Sequence, residues 1–155
     1  MGIPIAAIGV KIGYKSGTSS SRPTSVSWGT GGFTQIQDIK STPDFNPQPN
    51  TADATTFDNL EYTTYVDLLK DLGGALEFSA NLTAAFETAW GAAVTASATN
   101  NGLWWAIDVP GIDKSIVFFG TPSALGLPAL TANSLMETTV YVTPTGEPTW
   151  VSDGT

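Results

Sequence analysis

Alternation of apolar and polar side chains with a period of two is the feature that most constrains the fold of this chain. The clearest examples are residues 8–14, 76–80 and 103–109, in which every second side chain is apolar. Successive side chains of a β-strand point to opposite sides of a sheet, so this pattern indicates strands with one buried face. Each segment is therefore predicted to be a half-buried β-strand, with Trp105 in the core and Trp104 exposed on the opposite side.

Further strands are predicted at residues 33–39, 115–119 and 136–142, which are rich in β-branched and aromatic side chains. The chain between residues 109 and 115 contains Pro110 and Gly111, and these are typical turn residues. We therefore expect strands 103–109 and 115–119 to form a hairpin.

One segment interrupts the β pattern. Leu82, Phe86 and Trp90 recur every four residues in an alanine-rich stretch, which predicts a helix with a narrow apolar stripe facing the core. Asn81 or Thr83 is expected to cap its start.

The fold predicted from these elements is mainly β with one helix: an antiparallel β-sandwich or barrel, with the α-helix packed across an opening and long loop extensions. A chain of 155 residues is expected to form a single domain. Residues 64–72 are interpreted as one additional helical turn. The apolar residues 3–10 are interpreted as part of a first strand rather than as a signal peptide, since no basic residue precedes them.

Composition excludes several classes of function. Six basic and 14 acidic residues give a net charge of −8, which argues against binding of nucleic acid through its phosphates. The chain has no cysteine and no histidine, which removes thiolate nucleophiles, Ser-His-Asp triads and the commonest metal ligands. No apolar run approaches the length of about 18 residues that a membrane span needs, so no membrane partner is expected.

No motif for catalysis or cofactor binding is found. Asp53, Asp58 and Glu61 lie within nine residues of one another, but their spacing does not match a calcium-binding EF-hand loop. The glycine-rich stretch 29–32 is not followed by the Lys-Ser/Thr of a phosphate-binding loop. We therefore predict no catalytic residue, no metal site and no cofactor.

Two long loops, residues 15–32 and 41–60, connect the predicted strands, and residues 147–155 are interpreted as a C-terminal tail. Connections of this length usually have a function or are disordered. Trp28 and Phe33 in a polar loop indicate either a partner surface or a loop packed on itself. We expect the loops to stay disordered until a partner binds, so that deletion of residues 16–31 leaves a folded monomer.

The order of these segments resembles the major tail tube protein of long-tailed bacteriophages. The likeness extends over nearly the whole chain and rests on residues 8–14, 33–40, 53–58, 72–78, 105–110, 115–120 and 138–146.

This resemblance implies a structural virion protein without enzymatic activity, located in the phage tail. Its copies would form homohexameric rings whose sheets join edge to edge, stacked as a tube through which double-stranded DNA passes without specific binding. Low surface charge favours close approach of subunits, and an acidic bore repels phosphate. The other expected partners are the tape-measure, tail-tip and terminator proteins. A contractile tube or a secretion needle shares much of this fold, and the sequence does not separate them.

The resemblance also implies positions for contacts. The candidate contacts between subunits or rings are Lys15, Arg22, Trp28, Phe33, Phe45 and Phe57. The candidate acidic residues of the bore are Asp38, Asp44, Asp53 and Asp58.

Two alternatives stay open at the level of sequence. A β-sandwich that binds carbohydrate, or a virion surface module, would be similarly acidic and would use Trp28, Trp104 and Trp105 as stacking platforms. A hydrolase using two carboxylates is the third hypothesis.

Overall fold

The computed structural model describes residues 9–46, 51–58, 61–63, 65–67 and 74–153. The predicted fold class is confirmed, since the described chain is mainly β with one helix. The strands are β1 Lys11–Lys15, β2 Ser25–Val26, β3 Thr34–Gln35, β4 Ile39–Ser41, β5 Thr51–Asp53, β6 Tyr65–Asp67, β7 Leu76–Asn81, β8 Leu103–Val109, β9 Lys114–Pro122, β10 Glu137–Pro144 and β11 Thr149–Asp153. The helix, α1, is Ala84–Ser97.

The β8–β9 hairpin lies at the centre of the sheet. Its strands pair antiparallel from Leu103 opposite Gly120 to Val109 opposite Lys114. Gly111 and Asp113 in the connecting turn have positive φ angles of 86° and 54°, which glycine and aspartate tolerate better than most residues. The predicted hairpin is confirmed.

Seven strands form a continuous antiparallel path in the order β3-β1-β8-β9-β10-β7-β4. In a flat sheet the two end strands would lie about 29 Å apart, at about 4.8 Å per strand. Only residues 36–38 connect β3 to β4, and such a connection spans no more than about 14 Å. The sheet must therefore curl, and it forms a half-barrel whose two edges are bridged by residues 36–38.

This bridge is hydrogen-bonded to both sides of the barrel. The Ile36 amide donates to the Ile12 carbonyl oxygen on β1, and the Asn81 amide at the end of β7 donates to the Asp38 carbonyl oxygen, both at 2.8 Å. Asp38 has a φ angle of 68°, which turns the chain between the two edges. The prediction of one strand over residues 33–39 was therefore wrong, because the turn at Asp38 separates β3 from β4.

The helix packs against the inner face of the half-barrel. Phe86 and Trp90 are fully buried, and the Trp90 ring lies 5.5 Å from that of Trp105 on β8. The Trp90 indole nitrogen donates to the Ser123 carbonyl oxygen at 2.8 Å. Thr83 caps the helix by accepting a hydrogen bond from the Phe86 amide at 3.1 Å, as one of the two predicted caps.

The outer face of the hairpin forms a second core, which the sequence analysis missed. Trp104 is only 2% exposed and clusters there with Ala106, Val117 and Phe119. Its indole nitrogen donates to the Thr18 carbonyl oxygen at 2.8 Å. The predictions that Trp104 is exposed and that residues 103–109 are buried on one face only were wrong, because another part of the chain covers them.

The cover is residues 16–33, hereafter the outer loop. Val26 and Phe33 from this loop are buried in the second core, and β2 pairs in parallel with β11. The residues interpreted as a C-terminal tail thus contain a strand. The outer loop is therefore packed on the sheet rather than disordered. Deletion of residues 16–31 would expose Trp104 to solvent, so the structure does not support the expectation that this variant is a folded monomer.

The close approach of the outer loop to β1 explains one glycine. A Cβ atom on Gly13 would collide with the Thr34 carbonyl oxygen and the Trp28 ring. Only glycine leaves room for both neighbours at this position.

Replacing Trp104 with alanine should lower the free energy of unfolding by about 3–5 kcal/mol, because a large buried side chain is lost from the second core. Trp150→Ala is the matched control, since Trp150 is 52% exposed and its loss should change stability by no more than about 1 kcal/mol. Urea unfolding followed by circular dichroism measures both. Equal effects of the two substitutions would contradict a buried role for Trp104.

Candidate functional site

A small hairpin, formed by β5 and β6, stands apart from the large sheet. Thr51 pairs with Asp67 and Asp53 with Tyr65 in antiparallel register, and within the described residues neither strand pairs with the half-barrel. We name residues 51–67 the arm. The helical turn predicted at 64–72 was wrong at residues 65–67, which form a strand; residues 64 and 68–72 lie outside the described part.

Three aromatic side chains of the arm face solvent. Phe57 is 103% exposed, Tyr62 is 82% exposed and Tyr65 is 62% exposed. An isolated two-stranded hairpin has little stability in water, and grouped exposed aromatic residues mark interaction surfaces. The arm therefore has the properties of a segment that is covered by a partner.

The arm is also acidic. Residues 51–67 include four carboxylates, at positions 53, 58, 61 and 67, and no basic residue. The Thr55 amide donates to Asp53 Oδ1 at 2.9 Å, and hydrogen bonds from the Thr55 side chain and backbone lower the pKa of Asp53. Asp53 is therefore ionised at neutral pH, and the arm presents negative charge beside its aromatic rings.

A second exposed apolar segment connects β9 to β10. Leu127 and Leu135 are both more than 80% exposed, and Leu130 and Met136 are more than half exposed. Residues 123–136 form neither strand nor helix. This segment adds four exposed apolar side chains to the three exposed aromatic side chains of the arm.

A shallow groove of about 420 Å³ is lined by residues of the outer loop, β9 and β11. Arg22 and Lys114 line it together with Trp150, and no acidic side chain is among its lining residues. Arg22 donates to the Thr149 hydroxyl and to the Glu147 carbonyl oxygen. The groove therefore combines two cations with an exposed indole ring.

Among the described residues, neither cation of the groove has a carboxylate within ion-pair distance, whereas Lys40 pairs with Glu137. Arg22 also lies 5.7 Å above the Trp104 ring. This stacking and the hydrogen bonds of Arg22 fix the guanidinium group at one end of the groove.

The predicted contact residues have different surroundings. Phe33 is buried in the second core and Phe45 packs on Phe118 at 5.1 Å, so both serve packing within the chain. Trp28 and Lys15 are half-buried, and Trp28 has Lys11 6.0 Å above its ring.

Arg22 and Phe57 differ from the other predicted contact residues. Both are exposed, Arg22 in the groove and Phe57 in the arm. These two residues are the ones that are presented for contact with another molecule.

The predicted acidic residues do not converge. Asp38 accepts a hydrogen bond from the Thr83 hydroxyl at 2.7 Å, which ties the edge bridge to the helix cap. Asp44 accepts from the Asn46 amide at 2.8 Å. Asp53 and Asp58 lie in the arm, and no three acidic residues of the described chain are grouped so that they could hold a metal ion.

A pair of carboxyl groups on the outer face was missed by the sequence analysis. The Ser115 hydroxyl lies within hydrogen-bond distance of Asp153 and 3.4 Å from Asp108 Oδ1. Burial and then the neighbouring Asp153 raise the pKa of Asp108. In the sequence, the predicted hairpin could have placed Asp108 opposite Ser115, as the structure does. Asp153 reaches them only because β11 pairs with β9, and no local signal in the sequence indicates that pairing.

No family model matches the chain, and no curated protein matches it. The helix described here is too short to cross a membrane. The function is therefore inferred from the surfaces of the molecule.

The raised pKa of Asp108 predicts a pH dependence of stability. Since the folded state holds the proton more tightly than the unfolded state, stability falls as pH rises from the ordinary value of 3.8 through the raised value. Asp108→Asn should therefore increase the free energy of unfolding near neutral pH by no more than about 0.5 kcal/mol, because solvent screens this partly exposed site, and by less in acid.

Thermal unfolding over a pH series measures this effect. Glu77→Gln, at an exposed position on β7, is the control for loss of one negative charge. If Asp108→Asn showed the same pH dependence of thermal stability as the unmodified protein, the Asp108–Asp153 pair would not contribute to that dependence.

Proposed function

We propose that this chain is a structural subunit that assembles with copies of itself into rings, and that the rings stack as a tube of the bacteriophage tail type. The observation that supports this most directly is the arm, whose three aromatic side chains are exposed on the single chain. Rings of six and passage of double-stranded DNA follow from the sequence resemblance and form part of the proposal.

The exposed apolar surfaces favour assembly over an isolated monomer. Covering Phe57 and Tyr62 alone would remove roughly 300 Å² of mostly apolar surface from water, which corresponds to about 7 kcal/mol before the entropic cost of association. Leu127 and Leu135 add a second surface of the same kind. Interfaces of stable oligomers are built from such side chains.

The charge of the chain suits a conduit for DNA. A net charge of −8 in each subunit repeats around every ring, and a negative wall repels phosphate groups. DNA would then meet no array of cations that holds it in place. Asp44 is exposed and is retained as a candidate for this wall, whereas Asp58 lies beside Phe57 in the arm, the segment that assembly is proposed to cover.

The structure argues against the carbohydrate-binding alternative, because the tryptophan rings that it requires as stacking platforms are not exposed. Trp104 and Trp105 are both buried, at 2% and 1% exposure, and Trp28 packs against the second core. An exposed ring is needed for stacking on a sugar.

Negative-stain electron microscopy of the concentrated protein, with light scattering on the same sample, tests the proposal. Rings or hollow tubes with a bore wide enough for duplex DNA are expected. Monomers at every concentration would contradict self-assembly of the free subunit.

Phe57→Ser should raise the protein concentration needed for assembly at least about tenfold, because the substitution removes the most exposed aromatic ring of the arm. Its thermal stability should be unchanged, since the Phe57 ring is fully exposed among the described residues. Ile112→Ser is the matched control: Ile112 is also exposed but lies in the β8–β9 turn. Sedimentation velocity measures the assembled fraction of each variant, and equal loss in both would argue against a specific role of the arm.

A further inference from the structure

We infer that the arm of one subunit docks into the basic groove of the next copy of the same chain. This inference rests on the proposed self-assembly and assigns the two surfaces that meet. Both surfaces belong to every subunit, and their chemistry is opposite in charge.

The groove selects an acidic partner. Arg22 and Lys114 line it without an acidic neighbour among the lining residues, and among the described residues neither forms an ion pair within the chain. Hydrogen bonds to Thr149 and Glu147 hold Arg22 at the surface rather than neutralise it. An incoming carboxylate would supply the missing charge at both positions.

The groove also offers an apolar contact. Trp150 on β11 is 52% exposed and is among the residues that line the groove. Its backbone is fixed by pairing opposite Ile116 on β9, so an aromatic ring can pack on it at little cost in backbone entropy. Aromatic pairs contribute roughly 0.5–1.5 kcal/mol beyond the area that they bury.

The arm has the matching features. Phe57 and Asp58 are adjacent in a turn, and both are exposed. An aromatic ring and a carboxylate at one tip are complementary to a groove lined by an arginine, a lysine and an indole. No basic residue occurs between positions 51 and 67, so no cation of the arm opposes this docking.

The geometry of such a contact determines the type of assembly. The arm and the groove are different surfaces, so each subunit donates one and receives the other, which is a heterologous contact. Repetition of a heterologous contact closes into a ring or continues as a helical filament, whereas a two-fold dimer needs one surface that pairs with itself. Arm-to-groove docking is thus compatible with a ring.

Charge reversal at the two surfaces tests the inference. Lys114→Glu places like charges in contact with the arm, and Asp58→Lys places like charges in contact with the groove. Each single variant should raise the concentration for half-assembly roughly tenfold or more. The double variant Lys114→Glu with Asp58→Lys should recover most of the loss, because the opposite charges are restored with reversed sign.

Two control variants match the change in net charge. Lys40→Glu replaces an exposed lysine outside the groove and also removes its surface ion pair with Glu137, which is worth no more than about 1 kcal/mol of stability. Glu87→Lys replaces an exposed acid on α1. Both should assemble nearly as the unmodified protein does. Circular dichroism of all variants establishes that the half-barrel is folded, and sedimentation velocity over a concentration series measures assembly.

The outcomes separate the docking from the proposed function. Loss of assembly in both single variants with recovery in the double variant supports arm-to-groove docking. Normal assembly of both single variants overturns the docking and leaves self-assembly intact. Loss without recovery in the double variant also overturns it, and failure of the unmodified protein to assemble at any concentration overturns both.

Discussion

Burial of the β8–β9 hairpin on both faces is the constraint on which the rest of the structure depends. Trp105 and Phe118 face the inner core, and Trp104 and Phe119 face the outer one. Each tryptophan buries roughly 200 Å², which is an upper limit of about 5 kcal/mol in transfer free energy. Two separate layers are needed to cover these rings, and the helix and the outer loop supply them.

The sequence predicted the strands whose environment follows from local alternation. In β10, Thr138, Val140 and Val142 are buried while the residues between them are exposed, as a period of two requires. The helix was predicted for the same reason, because Phe86 and Trp90 share one face. These elements have one apolar side, and the pattern of the sequence identifies it directly.

Other features depend on contacts between distant segments. Trp104 is buried because residues 16–33 fold over it, and nothing in the alternation of 103–109 encodes that cover. Asp153 meets Asp108 only because β11 pairs with β9. The basic groove likewise combines residues near positions 22, 114 and 150, so it has no local signature. Phe57 was a candidate contact only through the resemblance, and its exposure is a finding of the structure.

The order of the strands has a consequence for synthesis of the protein on the ribosome. β1 pairs with β8, and the registered residues are about ninety positions apart in the chain. At about 5–20 residues per second, the nascent β1 waits several seconds for its partner strand. During this interval the amides and carbonyls on the edge of β1 that later pairs with β8 are open to neighbouring nascent chains, since β3 pairs with the other edge. Lys11 and Lys15 lie at the ends of β1, and charged side chains on an unpaired strand edge discourage premature pairing.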